Sequence, residues 1–241
     1  MTQLNLSRLH FPVTALGPGR RVGVWFQGCS LRCPGCVSAD TWATGRGRTS
    51  LAAVLDTLSP WLGQADGVTI TGGEPFEQEE ALMALLSNLR ALFDGDVLVY
   101  TGFERGDIEH VLANTEGLVD ALIAGPYQRD APQSLPLRGS DNQTLHLLTP
   151  LGRERFVAYQ APEDGERPAF DVMFDDGAVW FAGIPKQGDF ARLSEVLSIA
   201  GHAVATSVDR SFLGRAGDGS GQAMSKRARE PSHRISVRRR I

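Results

Sequence analysis

Cysteine is scarce in this 241-residue chain, and the three present are Cys29, Cys33 and Cys36. An odd, tightly clustered count excludes the paired disulfide framework of a small secreted domain. It fits a reducing compartment, where thiolates stay free to bind metal. Histidine is missing near them: His10 lies far upstream and His110 far downstream. Neighbouring residues therefore do not supply the fourth ligand that a structural zinc site usually takes. No apolar run approaches the ~20 residues that span a bilayer, so no membrane helix is expected. Met1 to Pro12 has no basic start followed by an apolar block, so no signal peptide is expected and a cytoplasmic location is the default. Internal repeats are absent. Net charge is small, −4, but unevenly spread. Residues 215–241 carry eight Lys or Arg against two Asp or Glu, and 1–214 carry 16 against 26. An acidic body is a poor nucleic-acid binder. The basic tail is read as a terminal stretch without a dedicated function.

What is present is concentrated in Trp25 to Cys36, WFQGCSLRCPGC, with spacing C-x3-C-x2-C. Three thiolates within eight residues converge on one object only if the backbone wraps it as a loop. Soft sulfur ligands suit zinc or an iron–sulfur cluster. A [4Fe–4S] cube normally takes four cysteines, so three leave one iron open to a further ligand. A zinc loop closed by a distant residue, or plain buried thiols, are the alternatives. Pro34-Gly35 makes a tight turn that returns Cys36 towards Cys33. A second feature, Thr71-Gly72-Gly73-Glu74-Pro75, follows the expected strand Gly67–Thr71. Taken alone it reads as an ordinary strand-to-helix turn, with Glu74 favouring the helix N-terminus.

Together these two segments resemble the radical S-adenosylmethionine (SAM) superfamily, with its Cys-x3-Cys-x2-Cys signature and GGE segment. GCSLRCPGC followed by Trp42, and the run Leu137–Gln143, are most similar to the activating enzymes of anaerobic ribonucleotide reductase. The likeness covers about residues 5–148. It implies that Cys29, Cys33 and Cys36 hold a [4Fe–4S] cluster. It implies that Gly72, Gly73, Glu74, Tyr100 and Thr101 contact SAM, although a capped strand end explains the last two nearly as well. It further implies reductive cleavage of SAM to a 5′-deoxyadenosyl radical and hydrogen abstraction from a glycine of a partner reductase. The partners are then a glycyl radical enzyme and a reduced flavodoxin or ferredoxin. A radical SAM enzyme with another peptide or small-molecule substrate, and a non-catalytic zinc module, are the rival readings.

The fold class expected is α/β. Near-continuous apolar strands at 21–26, 67–71, 97–101 and 119–124 alternate with helical patterns at 50–58, 78–93 and 108–113, which indicates a parallel sheet. Leu82, Leu85, Leu86, Leu89 and Leu92 mark one face of the second helix. The resemblance implies a partial, open (β/α) barrel. After residue 150 the rhythm changes. A strand is expected at Phe156–Tyr159, a hairpin around Asp176-Gly177, and a helix from Phe190 to Ile199. The expected organisation is a core domain of 1–150, an α+β appendage of 151–213 and a disordered basic tail of 214–241.

Overall fold

The computed structural model describes residues 2–162, 170–175, 178–186, 188–199, 202–203 and 238–239. Its centre is a seven-stranded mixed sheet. The strands are β1 (Gln3–Val13), β2 (Arg21–Phe26), β3 (Arg48–Ser50), β4 (Gly67–Gly72), β5 (Asp96–Tyr100), β6 (Ala121–Ala124) and β7 (Thr144–Leu147), in the order β3-β1-β2-β4-β5-β6-β7. The central four, β2, β4, β5 and β6, run parallel. The flanking strands pair antiparallel. The sheet is therefore mixed α/β with a parallel heart, and its two edges are the antiparallel β3 and β7.

Parallel strands need both faces covered. One face takes α1 (Leu51–Leu62) and α2 (Glu79–Leu92), which insert Val54, Leu58, Leu62, Leu82, Leu85, Leu86 and Leu89 against Val22, Val24, Val68, Ile70, Val97 and Val99. Each fully buried leucine contributes roughly 1.5–3 kcal/mol. Ser50 caps α1 by accepting from the Ala53 amide. The other face receives Phe156 of α4 (Pro150–Phe156) against Leu98, Ala121 and Ile123. A short helix, α3 (Glu109–Leu112), precedes β6.

Two expectations need correction. Leu92 is 59% exposed, because α2 ends there and its last turn has passed the core. Phe156–Tyr159 is not a strand. Thr149 accepts from the Gly152 amide and Pro150 sits in the first turn, so the segment starts a helix that runs on into a 3-10 turn at Val157–Tyr159.

Within the sheet, Arg21 and Asp96 form an ion pair with both side chains 0% exposed. Arg21 also donates to Thr69 Oγ1 at 2.6 Å and to the Val68 carbonyl at 2.8 Å. Asp96 takes a further 3.1 Å contact from Arg155 of α4. The pair ties the starts of β2 and β5 at the end opposite the cysteine loop.

The hairpin expected after residue 169 is present as β8 (Phe170–Asp175) and β9 (Ala178–Gly183), antiparallel, followed by α5 (Asp189–Ile199). Its turn, Asp176-Gly177, lies outside the described residues. So does the expected disordered tail, apart from β11 (Arg238–Arg239), which pairs with β10 (His202–Ala203).

Candidate iron–sulfur and cofactor site

The C-terminal ends of β2, β4 and β5 open on one side of the sheet, where α/β folds gather ligands. The cysteine loop leaves β2 there. Arg32, a non-glycine residue at φ 47°, and Gly35 at φ 81° bend it round, and Cys36 N closes a turn on the Cys33 carbonyl at 3.1 Å. All three cysteines are free and line one cavity of about 1090 Å3. The loop aims backbone donors at sulfur. Leu31 and Arg32 N–H groups face Cys29, and the Ser38 N–H faces Cys36. Such donors stabilise thiolate ligands. Without a metal, burial dominates instead. It raises the Cys29 thiol pKa and pushes Cys36 up to about 11.

The base of the loop is clasped from behind. Gly28 N donates to the Thr41 carbonyl at 2.7 Å and Cys29 N to the Trp42 carbonyl at 3.2 Å. The buried Trp42 Nε1–H makes no hydrogen bond, yet it stands near enough to Cys36 to favour that group's thiolate form.

The glycine-rich segment is sewn to this same loop. Gly73 N donates to the Phe26 carbonyl and Glu74 N to the Gly28 carbonyl, both at 2.8 Å. The approach is so close that a Cβ on Gly73 would lie 2.2 Å from the Gly28 oxygen. Gly72, at φ 103°, turns the strand end into that contact. Two motifs separated by some forty positions in sequence thus share one seam.

Glu74 is 1% exposed. Its Oε1 accepts from Phe76 N (3.0 Å) and Thr101 Oγ1 (2.9 Å), and its Oε2 from Gly102 N (2.8 Å). Burial outweighs these donors and raises its pKa to about 7. It lines the cavity, so it sits where a cationic ligand group would relieve it.

The structure brings together every site residue expected from the sequence. Cys29, Cys33, Cys36, Gly72, Gly73, Glu74, Tyr100 and Thr101 all line the cavity. Two carry further duties. The Tyr100 hydroxyl donates to the Leu137 carbonyl at 3.0 Å, and Thr101 Oγ1 serves Glu74 while accepting from Phe103 N. The run 138–143 mostly braces the crossover from β6. Arg138 is buried against the Tyr159 carbonyl, Asn142 donates to the Pro126 carbonyl, and Gln143 donates to the Gly125 carbonyl. Within that run, Gly139 and Gln143 reach the cavity.

Sequence reasoning missed Arg8, Arg129 and the wall from Phe181 to Ser194, which also line the cavity. Arg129 packs over the turn at Gly35, 2.9 Å from where a Cβ would stand. Neither arginine stands in a motif, and only the fold brings them here.

The donor set suits a cluster. Three soft thiolates on one loop edge the cavity, with amide donors behind two of them.

Comparison with known proteins agrees. The family model described as a 4Fe-4S single cluster domain matches residues 15–146. A protein of Enterobacteria phage T4 named anaerobic ribonucleoside-triphosphate reductase-activating protein is 31% identical over 147 residues, covering 59% of this chain and 93% of that protein. Proteins of the same name from Escherichia coli K12 and Vibrio cholerae are 29% and 26% identical, each aligned over 58% of this chain and 96% of its own length.

Proposed function

The chain belongs to the 4Fe-4S single cluster family shared by the anaerobic ribonucleoside-triphosphate reductase-activating proteins, and from that premise we propose that it is a radical SAM activase. On this reading Cys29, Cys33 and Cys36 hold a [4Fe–4S] cluster whose fourth iron is left to SAM. When bound, the cluster supplies one electron that cleaves the SAM C–S bond to methionine and a 5′-deoxyadenosyl radical. The chain's own residues do the rest. Backbone donors at Leu31, Arg32 and Ser38 hold the thiolates. The backbone at Gly72–Gly73, which only glycine fits, receives the SAM amino group, with the Glu74 carboxylate close by to balance its charge. Glu74 also fixes Thr101 and Gly102 at the mouth of β5. Leu31, packed on Gly102, keeps water from this corner.

The observation that carries the proposal is the seam between Gly73–Glu74 and Phe26–Gly28, which puts a three-cysteine loop and a glycine-rich strand end on one cavity. The hydrogen donor is then a glycine of an anaerobic ribonucleotide reductase, the electron source a reduced flavodoxin or ferredoxin, and the setting the cytoplasm. We read the sheet as the partial, open (β/α) barrel of that superfamily. We read 1–150 as its core domain, 151–213 as an appendage and 214–241 as a separate basic tail. The test is to mix the anaerobically reconstituted protein with SAM, reductant and a candidate reductase. An EPR doublet from a glycyl radical on the reductase supports the proposal. Formation of 5′-deoxyadenosine without that doublet moves the assignment to a radical SAM enzyme with another substrate.

One observation favours that second reading. The wall from Phe181 to Ser194 lies outside the family-matched residues 15–146 and yet borders the cavity.

A further inference from the structure

The wall is built into place. The Asp171 carboxylate of β8 accepts from Thr14 N (2.7 Å), Thr14 Oγ1 (2.6 Å) and Ala15 N (2.9 Å). The Arg8 guanidinium of β1 lies over Trp180 at 5.1 Å and over Trp25 at 5.5 Å, and pairs with Asp40 just beyond the cysteine loop. Ala182 packs with Val13, Leu16 and Trp25, and Gln133 donates to the Pro185 carbonyl at 3.1 Å. Phe170, Phe181 and Phe190 form a mutual ring cluster that joins β8, β9 and α5 into one unit.

Its inner surface is apolar. Phe181, Ile184, Pro185 and Phe190 border the cavity, and Lys186 and Ser194 are the polar side chains on that side. A small polar metabolite needs several convergent polar groups, and this wall offers few. Six successive residues, Phe181 to Lys186, run along it. At no more than about 3.3–3.6 Å per residue that is a track of up to roughly 20 Å, long enough for a short stretch of chain.

We propose that β9 and α5, seated by β8, form a substrate-selecting wall. They hold an extended polypeptide against the cysteine loop by gripping the apolar side chains that flank the residue giving up its hydrogen. The inference rests on the reading of the cavity as a SAM site. One C–H bond of the substrate breaks and one forms at the 5′ carbon of the adenosyl radical, so the radical passes to the polypeptide and no further oxidant is required.

The test uses the full-length reconstituted protein and two labelled, end-blocked 12-residue peptides with a central glycine, flanked by leucines in one and by serines in the other. Binding is read by fluorescence polarisation, and 5′-deoxyadenosine formed with SAM and dithionite, without peptide, is read in parallel. The leucine peptide is expected to bind at least tenfold tighter. Asp171→Ala, which unseats the wall from Thr14 and Ala15, should erase that difference while SAM cleavage stays within twofold of wild type. Ile184→Asp, which places a charge on the apolar surface, should weaken the leucine peptide at least tenfold. Equal affinity for the two peptides, binding of neither, or an undiminished preference in both variants would overturn the wall. Failure of SAM cleavage in wild type, with the peptide preference intact, would instead overturn the cofactor reading and leave the wall standing.

Discussion

Glu74 N donates to the Gly28 carbonyl at 2.8 Å, one residue before the first cysteine. That single bond joins the glycine-rich strand end of β4 to the root of the cysteine loop. Its neighbour, from Gly73 N to the Phe26 carbonyl, completes the seam. The two segments therefore form one structural object, and damage to either should be felt at both.

The seam makes Gly73 intolerant. A Cβ there would meet backbone, at 2.2 Å from the Gly28 oxygen, so Gly73→Ala must push the loop away. Overpacking of this kind costs about 1–3 kcal/mol. A lower urea midpoint is expected, together with a fall in iron and sulfide bound after anaerobic reconstitution. Gly63 is the control, since it has open space and φ −65°. Gly63→Ala should stay within about 0.5 kcal/mol of wild type or stabilise slightly.

Glu74 sets a pH dependence. Its folded pKa, about 7, lies above the ordinary 4.5 because burial disfavours the charged form. A raised carboxyl pKa contributes stability that is fully present below pH ~4.5 and is lost as pH rises through about 7. The loss is on the order of 3 kcal/mol in the metal-free protein. Urea melts of metal-free wild type should weaken across that window relative to Glu74→Gln, which has no charge to bury. Parallel pH profiles for the two would contradict this.

The Arg21–Asp96 pair is fully enclosed, so removing one partner strands the other. Asp96→Asn should cost about 3–5 kcal/mol. The effect should appear as a lower denaturation midpoint with little change in the slope. The pair lies at the far end of the sheet from the cysteines, so protein that still folds should bind iron normally.

Trp42 places a buried, unpartnered, donor-only N–H beside Cys36, where a cluster sulfur would accept from it. Hydrogen bonds to cluster sulfurs favour the reduced, more negative state and raise its potential. Trp42→Phe should keep its iron content but show a more negative midpoint in an EPR-monitored redox titration. An unchanged midpoint would leave Trp42 a packing residue only.

Much of the core was legible because its signals are local. The apolar strands at β2, β4, β5 and β6 and the leucine face of α2 follow from pattern alone. The cysteine spacing pointed to a soft-metal site, and the family resemblance narrowed it to a 4Fe-4S cluster, in line with the family model that matches residues 15–146. What escaped depends on long-range partners. β3 and β7 are short edge strands, and at Arg48–Ser50 and Thr144–Leu147 the composition says little; register with β1 and β6 defines them. Phe156–Tyr159 looked β-forming, yet the Thr149 cap and a buried slot for Phe156 against β5 and β6 decided for helix. Arg8 carried no motif, because its role comes from Trp25, Asp40 and Trp180 meeting in space. Arg138 and Gln143 were readable as a polar run, but only the fold shows them bracing Tyr159 and Gly125.

The central claim is that three thiolates hold a cluster that breaks SAM. The most direct measurement is 5′-deoxyadenosine formation by anaerobically reconstituted protein with SAM and dithionite, alongside iron, sulfide and zinc analysis, for wild type and for Cys29→Ala, Cys33→Ala and Cys36→Ala. The account predicts about four irons and four sulfides per chain and 5′-deoxyadenosine from wild type alone. About one zinc per chain, no sulfide and no 5′-deoxyadenosine would contradict it.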